Sequence, residues 1–299
     1  MKKASTYIIS VIFSLLLIFL MVGAALAGVM RYCALDTNTA LSIVDSQNLA
    51  ERVHTALEND FKQQASTTGI PAEIYASAIS ADALEPIIQD IVTNGFAYLR
   101  GDSASLGVTP DFSELEASIR EFFISYAEEQ NINQNETFEE AIRSTTDAAE
   151  ANIISACDVF RFGSLQDAGV IKKAKPYVPW VGIAALVLIA VVILFMALLF
   201  LINVHERGNG FYWCGTSALI ASALLLIPSV WLHQTRWFDR FSVKTDQTFA
   251  AITGFLYTNT KAVILTAIGG IAAAAVMYLI FGWIRLRKHK REIVRNAKH

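Results

Sequence analysis

The stretch VPWVGIAALVLIAVVILFMALLFLINV, residues 178–204, decides the fold class. Its 27 residues include no Asp, Glu, Lys, Arg or His. An α-helix rises about 1.5 Å per residue, so about 20 apolar residues cross the hydrocarbon core of a bilayer. The stretch is therefore long enough to predict a membrane-spanning helix.

Three other runs of the chain have the same character. Residues 7–30, 211–232 and 262–284 form uncharged stretches of 24, 22 and 23 residues. The whole chain is 54% hydrophobic, which exceeds the proportion in a typical soluble domain. The sequence thus predicts an all-α membrane protein with four transmembrane helices.

The first run has two interpretations. Lys2 and Lys3 before it and Ala25-Leu26-Ala27 near its end are typical of a cleaved signal peptide. The run is, however, longer than the 7–15 apolar residues of a usual signal peptide. We interpret residues 1–30 as a retained anchor, with cleavage before Gly28 as the alternative.

Positive charges near the ends of the chain predict its orientation. The tail at 285–299 carries seven Lys and Arg residues against Glu292 alone, and the N-terminus carries Lys2 and Lys3. Lys and Arg concentrate on the cytoplasmic side, so both termini are expected there. Two cytoplasmic ends require an even number of spans, in agreement with four.

This orientation divides the chain into four parts. Residues 31–176 form an extracytoplasmic domain inserted between the first and second spans. Residues 177–284 hold three spans, with an external loop at 233–261 and a short cytoplasmic HERGNG turn at 205–210. The basic tail follows at 285–299. This layout is typical of a bacterial, multi-pass protein of the cell membrane.

The segment 31–176 is predicted to be a bundle of four or five helices. Four sets of apolar residues recur at intervals of three and four, which places each set on one face of a helix. The sets are Leu49, Val53, Leu57 and Phe61; Leu84, Ile87, Ile88, Ile91, Val92, Phe96 and Leu99; Phe112, Leu115, Ile119, Phe122, Phe123 and Tyr126; and Phe138, Ile142, Ala149, Ile153, Cys157 and Phe160. The segment also carries 23 Asp and Glu against 10 Lys and Arg, a formal net charge of −13.

The tripeptide Arg100-Gly101-Asp102 matches a cell-adhesion motif. It follows directly on the second apolar set, where a helix is expected to end. Arg in the last turn and Gly just beyond it are common at the end of a helix. A structural role therefore accounts for the tripeptide, and we do not interpret the chain as an adhesion protein.

Two of the three cysteines are expected on the oxidising side of the membrane. Cys33 follows the first span and Cys157 lies late in the segment 31–176. A Cys33–Cys157 disulfide would connect the beginning of the domain with its end. The alternative is that Cys157 is one more member of the fourth apolar set. Cys214 is interpreted as a buried small residue in the third span.

The spans lack the groups that intramembrane chemistry requires. Ionisable side chains at membrane depth mark ion pathways and catalytic sites, and none of the four runs contains one. HERGN at 205–209 lacks the second His of a zinc pair, and residues 31–176 contain one His, His54. We therefore expect no catalytic, cofactor-binding or metal-binding residues, and no enzymatic activity.

The basic tail has two interpretations. Its Lys and Arg residues are expected to contact anionic lipid headgroups, or else to fix the orientation of the chain alone. The residues concerned are Arg285, Arg287, Lys288, Lys290 and Arg291. The tail is too short to form a folded basic module, so nucleic acid is not expected as a partner.

The loop 233–261 is rich in aromatic residues and contains a helical stripe. We expect an interfacial helix lying on the outer leaflet, or alternatively a platform for the external bundle. The stripe consists of Phe249, Ile252, Phe255 and Leu256.

The fourth span carries small residues at intervals of four, namely Gly269, Gly270, Ala273 and Ala274. Such residues allow helices to approach closely. They are expected to pack against the chain's own spans, with homo-oligomerisation as the alternative.

These features predict a binding or scaffold protein. The acidic helical domain would engage a protein partner or ligand through residues 31–176, and its charge would favour a basic partner. The alternative is a transport accessory or permease component that handles an apolar substrate along the three clustered spans.

Overall fold

The computed structural model describes residues 2–76, 78–204 and 207–296, and for residues 2–5, 207 and 291–296 it describes the backbone alone. Throughout these residues the chain forms helices joined by turns, and no strand occurs among them. The predicted all-α class is confirmed.

The helices are numbered here in chain order. In the described part of the chain they are α1 Lys2–Val29, α2 Thr37–Ser46, α3 Leu49–Thr68, α4 Ala81–Arg100, α5 Ser113–Gln130, α6 Glu136–Cys157, α7 Phe162–Asp167, α8 Val170–Ala174, α9 Val178–Ile202, α10 Arg207–Gln234 and α11 Asp246–Asn296. A π-helical turn at Met30–Ala34 extends α1, and single 3₁₀ turns occupy Ala72–Tyr75 and Trp237–Arg240.

Four helical segments are long and apolar enough to cross a membrane. They are Thr6–Ala34, Val170–Ile202, Gly208–Gln234 and Asp246–Lys290. The shortest has 27 residues, more than the roughly 20 that a bilayer requires. Three of them contain a whole apolar run read from the sequence, and Val170–Ile202 covers residues 178–202 of the remaining run, as expected of a membrane protein. The predicted turn at 205–210 begins with His205 and Glu206, which lie outside the described residues.

The chain divides into two compact units. One, called the span unit, comprises Met1–Leu35, Pro179–Arg240 and Leu256–His299. The other, called the acidic unit, comprises Asp36–Val178 and Phe241–Phe255. The first turns of α11 therefore belong to the acidic unit, and the rest of that helix belongs to the span unit.

Buried polar contacts join helices within the span unit. The hydroxyl groups of Ser14 in α1 and Ser217 in α10 lie 2.6 Å apart. The side-chain amide of Asn203, just after α9, donates to the hydroxyl oxygen of Ser10 at 3.0 Å. Leu17 is also fully buried in this unit. Because hydrogen bonds replace water for polar groups in an apolar interior, these contacts tie α1 to its neighbours.

The small residues of α11 are divided between two sides of the helix. A Cβ atom at Gly270 would clash with the hydroxyl of Ser222 in α10, and Ala274 is fully buried. At Gly269, by contrast, a Cβ atom would meet open space. Gly270 and Ala274 thus pack within the unit, whereas association with a second copy stays a prediction.

The acidic unit has its own apolar core, to which α2–α6 all contribute. Leu49, Leu57, Leu84, Leu115 and Ile153 are fully buried there. The four apolar sets identified in the sequence fall on α3, α4, α5 and α6, except that Phe112 directly precedes α5 and Phe160 follows α6.

Polar side chains begin three of these helices. Asp36 accepts a hydrogen bond from the backbone of Thr39, Ser80 from Ala83, and Asn135 from Phe138. Such caps satisfy backbone donors that the helix itself leaves unpaired.

A close contact between α4 and α7 closes one side of this core. A Cβ atom at Gly95 would lie 2.5 Å from the ring of Phe162. The Phe162 ring also packs edge-on against Phe96, with centroids 5.5 Å apart. Gly95 is therefore required here because the aromatic ring occupies the space of its missing side chain.

Candidate functional site

The acidic unit contains a half-open cleft of about 440 Å³, here called the aromatic cleft. Its walls come from the end of α3, the 3₁₀ turn at Ala72–Tyr75, α5 and α6. The lining residues are Phe61, Gln64, Thr68, Gly69, Ile70, Tyr75, Phe122, Phe123, Tyr126, Ser144, Thr145, Ala148 and Ala149. The volume lies in the range of small-molecule sites, about 300–1,000 Å³.

Aromatic rings form much of this lining. Phe61 and Tyr75 stack with centroids 4.0 Å apart and planes 11° apart. Phe122 and Tyr126, one turn apart on α5, lie nearly parallel at 6.2 Å. Phe61 and Tyr75 are buried, whereas Tyr126 is 50% exposed. The cleft therefore has a rigid aromatic floor and an accessible aromatic rim.

The polar atoms of the cleft are uncharged. Gln64, Thr68, Ser144 and Thr145 supply amide and hydroxyl groups, and the lining includes no Asp, Glu, Lys, Arg or His. Burial raises the pKa of the Tyr75 phenol, so this hydroxyl stays protonated at neutral pH. The cleft can thus form hydrogen bonds but offers no counter-charge for an anion.

The helices around the cleft are strongly acidic. Together α3, α5 and α6 carry 13 Asp and Glu against 4 Lys and Arg. Three of the four cations are already paired. Arg52 contacts Asp246, Lys62 contacts Glu58, and Arg120 contacts Glu139 at 2.7 Å. The electrostatic potential around the cleft is consequently negative.

Carboxylates crowd one another between α5 and α6. The pKa of Glu150 is raised, first by loss of solvent and then by the nearby charges of Glu116 and Asp147. These residues attract positive charge. Across the part of the chain that the structure describes, however, no three His, Cys, Asp or Glu side chains are grouped to hold a metal ion.

The two cysteines of the predicted disulfide carry free thiols in the structure. Cys33 lies half-buried in the turn Met30–Ala34, and Cys157 is fully buried at the end of α6. Burial, followed by the charge of Asp158, raises the pKa of the Cys157 thiol to about 12. Cys157 belongs to the apolar core, as the alternative interpretation supposed. The disulfide stays a prediction. Counting free thiols in denaturant tests it, since the bonded protein has one free thiol and the unbonded protein has three.

Residues 285–296 of the basic tail continue α11 as a helix. Arg285, Arg287, Lys288 and Lys290 are exposed, and the guanidinium of Arg287 lies 3.5 Å from the centre of the Trp283 ring. The Arg291 side chain lies outside the described residues. Contact of these residues with lipid headgroups stays a prediction.

The predicted interfacial stripe lies in the first turns of α11 rather than in a separate helix. Phe249, Ile252, Phe255 and Leu256 are half-buried. Phe255 packs against Phe160 with centroids 6.0 Å apart. This contact anchors the start of α11 in the core of the acidic unit.

The Arg-Gly-Asp tripeptide ends α4, as its sequence context predicts. Gly101 has a φ of 86° and forms the left-handed C-cap. The guanidinium of Arg100 donates to the carboxylate of Asp102 at 2.9 Å and to the hydroxyl of Thr37 at 2.9 Å. The two charges of the motif therefore engage each other within the fold.

Aromatic residues mark both ends of the spans. Tyr7 packs edge-on against Trp213 at 5.5 Å at one end, and Phe238 packs against Tyr257 at 5.2 Å at the other. Trp213 and Trp231, at the two ends of α10, are separated by about 27 Å along the helix at 1.5 Å per residue. This separation approaches the roughly 30 Å of a hydrocarbon core, at whose borders Trp and Tyr concentrate.

The sequence did not predict the aromatic cleft. Phe122, Phe123 and Tyr126 were assigned to an apolar set, but in the structure Tyr126 is half exposed. Ser144 and Thr145 belong to no motif or apolar set that would have indicated a binding site. A small-molecule site built by four separate segments depends on tertiary packing, which apolar periodicity does not specify.

Comparison with known proteins gives no relative: no family model, curated protein or solved structure matches the chain.

Proposed function

We propose that the chain is an integral membrane protein that presents the acidic unit outside the cytoplasm, where the unit binds a positively charged partner or ligand. The observation that carries this proposal is the separation of charge. The acidic unit holds 24 Asp and Glu against 10 Lys and Arg, a formal net of −14. The span unit holds 3 Asp and Glu against 14 Lys and Arg, a formal net charge of +11.

The orientation follows from the same charges. Seven of the span unit's 14 cations lie in the tail at 285–299, and Lys2 and Lys3 lie at the other terminus. Positive residues at both ends favour a cytoplasmic position for each terminus. With four spans, the segment between the first and second would lie on the opposite side, which supports an extracytoplasmic position for the acidic unit.

Binding accounts for the acidic unit better than catalysis does. A field of one sign accelerates encounter with partners of the opposite sign and repels others. The aromatic cleft provides a concave surface in that field, and its lining has no charged or imidazole group to act as an acid, base or nucleophile. The role is therefore that of a scaffold or sensor-like binding protein.

Cross-linking in native membranes tests the proposal. We expect a basic partner to be recovered in stoichiometric amount, with its cross-links in residues 36–178. A matched variant with Glu128→Gln, Glu129→Gln, Glu139→Gln and Glu140→Gln should recover less of it. Recovery of the chain by itself, or of cross-links confined to the span unit, would contradict the proposal.

The alternative of a transport accessory or permease component predicts a different result. An apolar substrate would then raise the unfolding temperature of the purified protein in proportion to its occupancy, even when the acidic unit carries the four Glu→Gln substitutions.

A further inference from the structure

We propose that the aromatic cleft of the acidic unit binds a small organic cation that carries an apolar or aromatic group, such as a quaternary ammonium compound. The inference deepens the proposed binding function, and rests on it for the side of the membrane from which the ligand comes. The ligand class itself follows from the size, lining and electrostatic surroundings of the cleft.

The size of the cleft favours a small molecule. A volume of about 440 Å³ accommodates one or two rings with a substituted ammonium group. Because the cleft is half-open and its rim includes the exposed Tyr126, a ligand can enter without unfolding the unit.

The lining favours a cation with an apolar surface. Phe122, Phe123 and Tyr126 contribute accessible rings to the cleft. The stacked and buried rings of Phe61 and Tyr75 complete its aromatic lining. The faces of aromatic rings carry partial negative charge and attract ammonium groups within about 6 Å, which is how quaternary ammonium ligands are held in aromatic cages. A metal ion would instead require oxygen, nitrogen or sulfur ligands grouped around one point.

The surroundings exclude an anion. Exposed carboxylates lie one helical turn from lining residues on both α5 and α6: Glu129 follows Tyr126 by three positions, Glu140 precedes Ser144 by four and Asp147 follows it by three. Residues three and four apart share a helix face, so these charges lie beside the lining residues of the cleft. An anionic ligand would meet this repulsion with no cationic group in the lining to offset it.

A pair of probes that differ in charge tests the inference directly. The purified full chain in nanodiscs of phosphatidylcholine would be titrated by calorimetry with benzyltrimethylammonium and with phenylmethanesulfonate, which share a benzyl group. We expect saturable binding of the cation at least about tenfold tighter than that of the sulfonate, and weaker binding at high salt because exposed charges are screened. Equal binding of the two probes, or no saturable binding of the cation, would overturn the inference.

Two variants locate the binding in the cleft. Ala148→Trp fills the cleft from an exposed position of α6 and is expected to weaken binding of the cation at least about tenfold. Ala117→Trp makes the same change on the exposed side of α5, away from the cleft, and should leave affinity unchanged. Retained binding in Ala148→Trp, or equal loss in both variants, would overturn the inference.

A milder variant keeps the test valid if Ala148→Trp disturbs folding. Tyr126→Leu retains apolar volume at the rim but removes a ring face, so binding of the cation should weaken about two- to fivefold. An unchanged affinity would count against the aromatic cage. Since these titrations do not depend on the orientation of the chain, their failure is distinguishable from a failure of the proposed extracytoplasmic function.

Discussion

Ser14 and Ser217 form a hydrogen-bonded pair between α1 and α10, with hydroxyl oxygens 2.6 Å apart. Both side chains are buried, and the Ser217 hydroxyl also lies 3.1 Å from the backbone carbonyl of Ser14. Asn203 forms a similar contact with Ser10. Loss of residues 1–27 would leave two buried polar side chains without these partners. The pair therefore favours α1 as a permanent part of the protein rather than a removable leader.

The first prediction concerns the mature N-terminus. The intact protein isolated from membranes should retain residues before Gly28, because α1 completes the polar contacts of α10 and of Asn203. Mass spectrometry of the intact chain checks this, with an epitope at the N-terminus as a second readout. A mature chain that begins at Gly28 would show that the first run is a signal peptide after all.

The second prediction concerns the energy of the same contact. Ser14→Ala and Ser217→Ala should each destabilise the protein, and a double-mutant cycle should give a coupling of about 0.6 kcal/mol and at most about 1.7 kcal/mol. Unfolding in detergent measures it. Thr266→Ala is the control, since that exposed hydroxyl bonds to a carbonyl of its own helix. A cycle with no coupling would mean that the pair does not hold α1 in place.

The third prediction concerns Gly95. Gly95→Ala would place a methyl group 2.5 Å from the ring of Phe162. Overpacking costs about 1–3 kcal/mol, which outweighs the roughly 1 kcal/mol that Ala gains over Gly in a helix. The midpoint of thermal unfolding should therefore fall.

Gly107→Ala is the matched control, because a Cβ atom there would meet open space. Its unfolding midpoint should stay close to that of the parent protein. If Gly95→Ala left the unfolding midpoint equally unchanged, the ring of Phe162 would not lie against Gly95 and the close contact between α4 and α7 would not exist.

The fourth prediction concerns the Arg-Gly-Asp tripeptide. Gly101→Ala should lower stability by about 1 kcal/mol because Ala is strained at a φ of 86°. Asp102→Ala should leave cell attachment unchanged. Arg100 bonds to Asp102 and Thr37, so the tripeptide has a structural role at the end of a helix. Attachment assays on surfaces coated with the protein provide the measurement. Loss of attachment in Asp102→Ala with an unchanged unfolding midpoint would restore the adhesion interpretation.

The fifth prediction concerns pH. Because the pKa of Glu150 is raised in the folded protein above its ordinary 4.5, the folded state binds the proton more tightly than the unfolded state. Its ionisation therefore lowers stability as the pH rises through and above 4.5. Glu150→Gln should raise the unfolding midpoint at pH 7, and this gain should disappear below pH 4.5.

Glu58 provides a comparison of opposite sign. Its hydrogen bond and ion pair with Lys62 lower the pKa of Glu58, so its contribution to stability is present above pH 4.5 and is lost as the pH falls through the lowered value. Glu58→Gln should consequently lower the unfolding midpoint at pH 7. A decrease in both variants would show that the carboxylates near Glu150 do not repel one another in the folded state.

The fold was largely predictable because apolar pattern and helix-capping chemistry are local. The runs at 7–30 and 178–204 predicted α1 and α9, and Gly101 predicted the end of α4. The extent of α11 was not predictable. The stripe Phe249, Ile252, Phe255 and Leu256 predicted a separate interfacial helix, whereas in the structure these residues lie in the first turns of α11.

The candidate site was much less predictable than the fold. The acidic character of the segment was readable from its composition, but the cleft depends on how separate segments meet. Tyr75 lies in a 3₁₀ turn and stacks on Phe61 of α3, and no periodic pattern in the sequence predicts this contact. The short helix α7, which fills the space beside Gly95, was likewise not anticipated.

The most direct test of the account is the side of the membrane on which the acidic unit lies. Single cysteines at Asn133 and Lys290, two exposed positions in the acidic unit and the tail, would be introduced with Cys33 replaced by Ser. Cys157 and Cys214 are fully buried and stay in place. A membrane-impermeant maleimide should label Asn133→Cys in intact cells and Lys290→Cys only after permeabilisation. Labelling in the opposite order would contradict the proposed extracytoplasmic binding function.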